Sequence, residues 1–294
     1  MIDAQIAGGL ALSVASALTL NWAYVQEHDA ANDLPPLSMR NPVRSVRLLL
    51  SSREWLRGVA GEVTGFTLYV IALAMAPLSL VQSVSAGGIA VLAYLSAHRA
   101  QRPTTHRERV GVGLSLLGLV ALAVSLTESV SHKSSASVAS LAFWLGSCAV
   151  VAAIALVASG RYGRGVPYAI AAGILLSCGD VSMKGAFEGH WHLIFLGTAV
   201  IGYGVGTMLL QISYQHAAVL TAAGISTLLI NSVPIVAATT ILGEQVPDGI
   251  LGVLRVAAFA LLVSGAVALA RGEPADKGAN FRRDLPQRST DTPA

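Results

Sequence analysis

Residues 57–97 read RGVAGEVTGFTLYVIALAMAPLSLVQSVSAGGIAVLAYLSA, and this stretch decides the fold. After Arg57 it holds a single charge, Glu62. One crossing of a bilayer takes about 20 apolar residues, so the stretch is long enough for two. Pro77 cannot extend the hydrogen-bond ladder of a preceding helix. A turn at Ala76-Pro77 therefore divides it into spans at 57–76 and 78–97.

The same reading extends along the whole chain of 294 residues. Further apolar segments lie at 4–24, 109–127, 138–159, 166–187, 191–213, 217–242 and 249–270, for nine spans in all. The run 191–242 is too long for one crossing and divides at its most polar point, Tyr214-Gln215-His216. Hydrophobic residues make up 54% of the chain and charged ones 12%, about half the usual share of a soluble domain. Mean hydropathy is +0.64. These values exclude a soluble enzyme, and the recurrence of apolar runs excludes a single-pass receptor. A membrane barrel would show alternating segments of roughly ten residues. These runs are longer and uniformly apolar, and helices satisfy their own backbone groups in lipid. The expected fold is an all-α integral membrane protein of about nine transmembrane helices.

Basic residues orient it. Sixteen of the 19 Lys and Arg fall in the loops 25–56, 98–108 and 160–165 with their borders, and in the tail. Lys133 alone falls on the other side, while Lys184 and Arg255 lie within spans. The positive-inside bias then places the N-terminus outside and the C-terminus inside. The N-terminus has no basic n-region and no small-residue cleavage site, so the first apolar run is expected to be a retained span. Within the basic loop 25–56, Arg40, Arg44 and Arg47 share helical spacing, and Val43, Val46 and Leu50 fall on another face. Two readings stand: an amphipathic helix on the inner leaflet, or a basic loop. Residues 272–294 read as a disordered cytoplasmic tail.

The chain also repeats itself. Ile6-Ala-Gly-Gly-Leu-Ala-Leu-Ser13 resembles Ile170-Ala-Ala-Gly-Ile-Leu-Leu-Ser177, and the turn region 78–82 parallels 219–223. Spans 1–4 then align with spans 6–9 in opposite orientation. The expected organisation is a first transmembrane repeat at 1–127, an extra helix with linkers at 128–165, and a second, inverted repeat at 166–271. Inverted repeats mark secondary transporters, whose site lies between the halves.

Polar groups within spans are the candidate pathway residues, because a charge in mid-membrane must face protein or water. Glu62 stands between Gly61 and Gly65, a pair that admits a close neighbouring helix. It is either a cavity-facing carboxylate for a cation or proton, or an interfacial group reaching towards Arg53 or Arg57. Asp180 and Lys184 are four apart on one helical face, either as a pathway pair or as a structural ion pair. Asn21, Gln82, Gln211, Gln215 and Asn231 offer hydrogen bonds across helices or to a substrate, with Asn231 just before Pro234. Arg255 is expected to snorkel to the interface. Glu244 and Asp248 read as a solvated turn, and His216 as interfacial. Cys148 and Cys178 lack metal-ligand spacing and read as small buried hydrophobes, bridged only if two helices bring them together. No phosphate-binding loop, acidic cluster or metalloprotease motif is present, so neither catalytic residues nor a cofactor are expected. A metal site is not assigned.

Gly61-Glu62, Ala76-Pro77-Leu78-Ser79-Leu80-Val81, Ser182-Met-Lys-Gly185 and Gly243-Glu244 together resemble the NIPA-like branch of the drug/metabolite transporter superfamily, over residues 4–270. The resemblance implies a multipass carrier of the inner or plasma membrane. For the NIPA-like branch it implies magnesium or a similar cation as substrate, and for the related EamA-type carriers the export of a small metabolite. It also supports Glu62 and Lys184 as positions of interest. A non-transporting membrane scaffold is the reading of another class. The expected partners are the lipid bilayer and a small solute or cation, not nucleic acid. A second copy of the chain, as a homodimer, stays open.

Overall fold

The computed structural model describes residues 4–75, 81, 84, 87–99, 101, 103–125, 137–186, 194–241 and 249–272. Gln82, Lys133, Glu244, Asp248 and the 272–294 tail beyond Gly272 lie outside them, as does the turn at Ala76-Pro77. The described residues form ten helices. They are α1 (Ala4–Asp33), α2 (Pro42–Ser51), α3 (Arg53–Met75), α4 (Gly88–Arg99), α5 (His106–Ser125), α6 (Val138–Tyr162), α7 (Gly165–Ala186), α8 (Ile194–Tyr214), α9 (Val219–Thr240) and α10 (Ile250–Gly272). Five of them, α1, α6, α7, α8 and α10, are long and apolar enough to cross a membrane.

Local chemistry sets the boundaries. α5 starts on a capping box, in which Thr105 Oγ1 accepts from Glu108 N at 3.2 Å and Glu108 Oε2 accepts from Thr105 N at 2.6 Å. Ser137 caps α6 by accepting from Ser140 N at 3.1 Å. Gly163 ends that helix at φ 79°, the left-handed region that suits glycine. The turn between α8 and α9 falls at Tyr214-Gln215-His216, where the polar residues predict it.

Two helix pairs carry the architecture. α3 lies along α1, and α8 lies along α7. α4 packs on α1 as α9 packs on α7, and α5 pairs with α10. Ser16 Oγ donates to Gly65 O at 2.7 Å, joining α1 to α3. Ser13 and Ser177, aligned in the expected repeat, each reach past their own helix. Ser13 Oγ donates to Val81 O at 3.0 Å and Ser177 Oγ to Leu229 O at 3.1 Å. Such small polar contacts hold apolar helices together where water offers no driving force. Large apolar side chains point outward instead. Val157, Phe143, Val200 and Ile250 are each more than two-thirds exposed, a surface that suits acyl chains rather than water.

Two expectations change. α1 does not end near residue 24 but continues to Asp33, so the expected basic loop 25–56 begins as helix. Its second half, by contrast, does contain a helix, α2. Arg255 does not snorkel. It is buried at 3% exposure and donates from Nη2 to Ser125 O at 3.0 Å, with Nε at 3.4 Å from Ser125 Oγ. Ser125, the last described residue of α5, gives the guanidinium two oxygens to turn towards. Cys148 and Cys178 are both buried and both free thiols.

Candidate functional site

The site is built where α1 is clamped between α3 and α8. Glycines on α3 let α1 approach. A Cβ at Gly58 would lie 2.6 Å from Glu27 Cγ, and one at Gly65 would lie 2.7 Å from Leu20 Cγ. The close approach that Gly61 and Gly65 predict is therefore made, and α1 is the partner. The consequence is that Glu27, in the last third of α1, lies against the α3 backbone with 2% exposure.

Glu27 Oε2 accepts from Gln211 Nε2 of α8 at 2.7 Å. This bond joins α1 to α8, 184 residues apart in sequence. Glu62 of α3, half-buried, stands within side-chain hydrogen-bonding reach of Glu27, so two acidic groups meet there. Tyr24 and Tyr214 stand in the same field. Three buried oxygens there have no hydrogen-bond partner: Glu27 Oε1, Gln211 Oε1 and Tyr214 OH. A buried polar atom left unpaired costs about 1–3 kcal/mol. Three of them, drawn from three side chains around two carboxylates, make a site that a cation or ordered water would satisfy.

His28 closes the cluster on one side. Its ring meets that of Tyr214 edge-on at 5.6 Å, and its Nε2 is 3.2 Å from Ala217 O. Gln215 pins the chain that leaves α1, donating from Nε2 to Ala31 O at 2.7 Å and accepting from Leu37 N at 2.9 Å.

Tyr24 links the cluster to a cavity. The cavity, of about 230 Å³, lies between α1, α3, α4, α5 and α9. Its polar lining is Asn21, Tyr24, Tyr69, Thr227 and Asn231, and the rest is apolar, with Leu20, Phe66, Ile89 and Leu122 among it. Asn21 and Asn231 each bond a carbonyl of their own helix, Ala17 O and Thr227 O, both at 2.7 Å. Each amide thus keeps its oxygen for another partner.

The predicted pathway residues divide accordingly. Glu62 joins the carboxylate cluster and Asn231 lines the cavity. Asp180 sits apart, between α7 and α8, where Oδ1 accepts from Tyr203 OH at 2.6 Å. Lys184 is in α7, but its side chain lies outside the described residues, as does all of Gln82. Gln211 bonds across helices, as one of its expected uses requires. Glu27 was not anticipated. Its neighbours in sequence, His28, Asp29 and Asp33, give the segment the look of a polar loop. The usable signal is the helical spacing of Ala23, Glu27, Ala30 and Ala31, a stripe of small residues with one acid in it, opposite Gly58, Gly61 and Gly65.

A stretch of 111 residues, 38% of the chain, is 26% identical to an Arabidopsis thaliana protein named "Probable magnesium transporter NIPA9". The match covers 32% of that protein, so the chain spans about a third of this relative's length. No family model matches the chain. No solved structure matches it either.

Proposed function

We propose that the chain is a multi-pass membrane transporter of the drug/metabolite type that moves a small cation, with magnesium as the first ion to test, and that it is not an enzyme. The observation that carries this reading is the Glu27–Gln211 contact with Glu62 beside it, a buried set of oxygens that joins the two halves of the bundle. Magnesium is a hard cation that keeps several waters and binds through one or two carboxylates. Two carboxylates with neutral oxygens around them suit that habit. The size of the cavity agrees, since it lies below the roughly 300–1,000 Å³ of drug-sized pockets. The similar Arabidopsis protein bears a magnesium transporter's name, which supports the same choice.

The nine-span layout, with an outer N-terminus and an inner C-terminus, belongs to this reading, as does the cell membrane as its location. The charge asymmetry supports the orientation. The parallel pairing of α1 with α3 and of α7 with α8 supports the inverted repeat. Cysteine accessibility tests the layout. A cysteine at position 132 should label from outside the cell and one at position 104 from inside. Labelling of 132 only from inside would overturn the topology and the repeat with it.

The transport test is uptake by proteoliposomes across divalent cations, amino acids and amphipathic cations. Magnesium flux that Glu62→Gln lowers is the expected result. Flux of an organic solute alone would favour export of a small metabolite, the reading to which the mostly apolar cavity lining lends weight. Absence of flux for the whole panel, with function lost on deletion of 273–294, would favour a scaffold.

A further inference from the structure

The helix α2 is not used by the transport reading, and its surface is divided into three sectors. One sector is fastened to the protein. Ser45 Oγ donates to Ser38 O at 3.1 Å and accepts from Ser38 N at 3.0 Å. Leu49 is 3% exposed and packs in a cluster with Ala30, Leu37, Trp55, Met208 and Ile212. These contacts fix the rotation of the helix. The second sector is apolar and open. Val43, Val46 and Leu50 are 72%, 43% and 57% exposed. At about 100° per residue they fall within roughly 60° of one another. The third sector adjoins it and is cationic. Arg44 and Arg47 extend from the helix, Arg40 from the turn before it, and all three are exposed. They line one shallow hollow with Asn41, Pro42 and Leu48.

The segment itself holds no balancing charge. Between Asp33 and Glu54 the chain has four arginines and no acidic residue. Arg40, Arg44 and Arg47 form no ion pair among the described residues. An open apolar stripe beside an unbalanced arginine row has one complementary surface, an acidic phospholipid leaflet. There the aliphatic groups enter the acyl region and the guanidinium groups meet phosphate. Water alone would leave the stripe exposed, and a free phosphate would leave it so as well. An apolar protein partner would leave the arginines without counter-charge.

We propose that α2 is a binding site for acidic phospholipids, with Arg40, Arg44 and Arg47 holding the headgroup phosphate and Val43, Val46 and Leu50 seated among the acyl chains. Because Leu49 and Trp55 tie α2 to α1, α3 and α8, a lipid held there bears on the same helices that carry Glu27, Glu62 and Gln211. The site does not depend on what is transported.

The test uses the full chain purified in a neutral detergent, with retained lipid read by native mass spectrometry during titration. The probes are phosphatidylglycerol, phosphatidylcholine and inorganic phosphate. Wild type should retain phosphatidylglycerol in preference to phosphatidylcholine. Arg40→Gln/Arg44→Gln/Arg47→Gln should weaken phosphatidylglycerol binding on the order of a hundredfold, since each arginine near an anionic surface is worth somewhat less than a factor of ten. Val43→Ser/Leu50→Ser should weaken both lipids. All five positions are exposed, so these variants keep the fold, and an unchanged elution profile and helix content check it. Equal retention of the two lipids would overturn the proposal. So would saturation by inorganic phosphate that displaces phosphatidylglycerol, which would leave an anion site without a lipid. Neither result bears on transport, and loss of magnesium flux would leave the lipid preference standing.

Discussion

The pair α1–α3 and the pair α7–α8 are built alike and charged differently. In both, glycines let one helix sink against the other: Gly58 and Gly65 of α3 meet α1, while Gly202 and Gly206 of α8 meet α7. In the second pair the single acid is half-buried and bonded within the pair, since Asp180 accepts a short hydrogen bond from Tyr203. In the first pair two acids meet. Glu27 is buried with Oε2 bonded to Gln211, and the Glu62 carboxyl group beside it is close enough to share a side-chain hydrogen bond with it. Glycine packing therefore belongs to the shared scaffold, and the facing carboxyl groups belong to one half. That asymmetry is the ground on which we propose the working chemistry for α1–α3 and the α8 residue that touches it.

The largest expected effect is at Glu27. Glu27→Gln keeps the shape and a hydrogen bond to Gln211 but removes the charge. A charged hydrogen-bonding group contributes about 1.5–3 kcal/mol, so cation uptake in proteoliposomes should fall by roughly ten- to a hundredfold. The melting temperature should hold or rise, because one of two facing carboxylates becomes neutral. Unchanged uptake would remove the first pair from the mechanism and erase the contrast.

The next effect sharpens the shared half of the comparison. Gly58→Ala places a methyl against Glu27 Cγ, Glu27 N and Ala23 O, two of which are backbone atoms that cannot swing aside. Overpacking of this kind costs about 1–3 kcal/mol. Gly202→Ala meets Leu175 O at 2.8 Å and Gly179 N at 3.1 Å and should cost a similar amount. Gly204→Ala, which meets nothing within 4 Å, should leave stability level or slightly raised. Thermal unfolding in detergent reads all three. If Gly204→Ala destabilises as much as Gly58→Ala, close helix approach is not what these glycines provide.

These contrasts also mark how far the sequence could be read. Run length and charge gaps locate the helices well, because lipid demands about 20 apolar residues and a helix supplies its own hydrogen bonds. The division at Tyr214-Gln215-His216 follows from the same logic. Glu62 and Asn231 are legible as candidates because charge and amide are rare in such runs. Glu27 is not, because hydropathy ends a span where charges begin. Only packing against Gly58 shows that the helix continues and that the acid is buried. Arg255 misleads for a related reason. Snorkelling is the default for a long cation near a helix end, and the sequence does not reveal that Ser125 of α5 lies beside it.

The smallest expected effect is at Asp180. Its partner is a tyrosine hydroxyl, and an amide oxygen at the same place still accepts that hydrogen bond. Asp180→Asn should therefore change uptake by no more than about twofold, within the ~0.5 kcal/mol typical of changes that break no special interaction. Tyr203→Phe is the harsher change, since it leaves the carboxylate without that donor, and it should lower the melting temperature more than Asp180→Asn does. The pathway reading of Asp180 with Lys184 makes the opposite forecast. There, Asp180→Asn strands an ammonium in α7, uptake falls sharply, and Asp180→Asn/Lys184→Met restores the fold without restoring flux. A neutral pair of similar volume can replace a buried ion pair with little loss of stability, so melting alone does not separate the two readings. Flux in the double variant does. Near wild-type flux assigns Asp180 to the scaffold that both halves share, and lost flux in a folded protein extends the working chemistry from α1–α3 into α7.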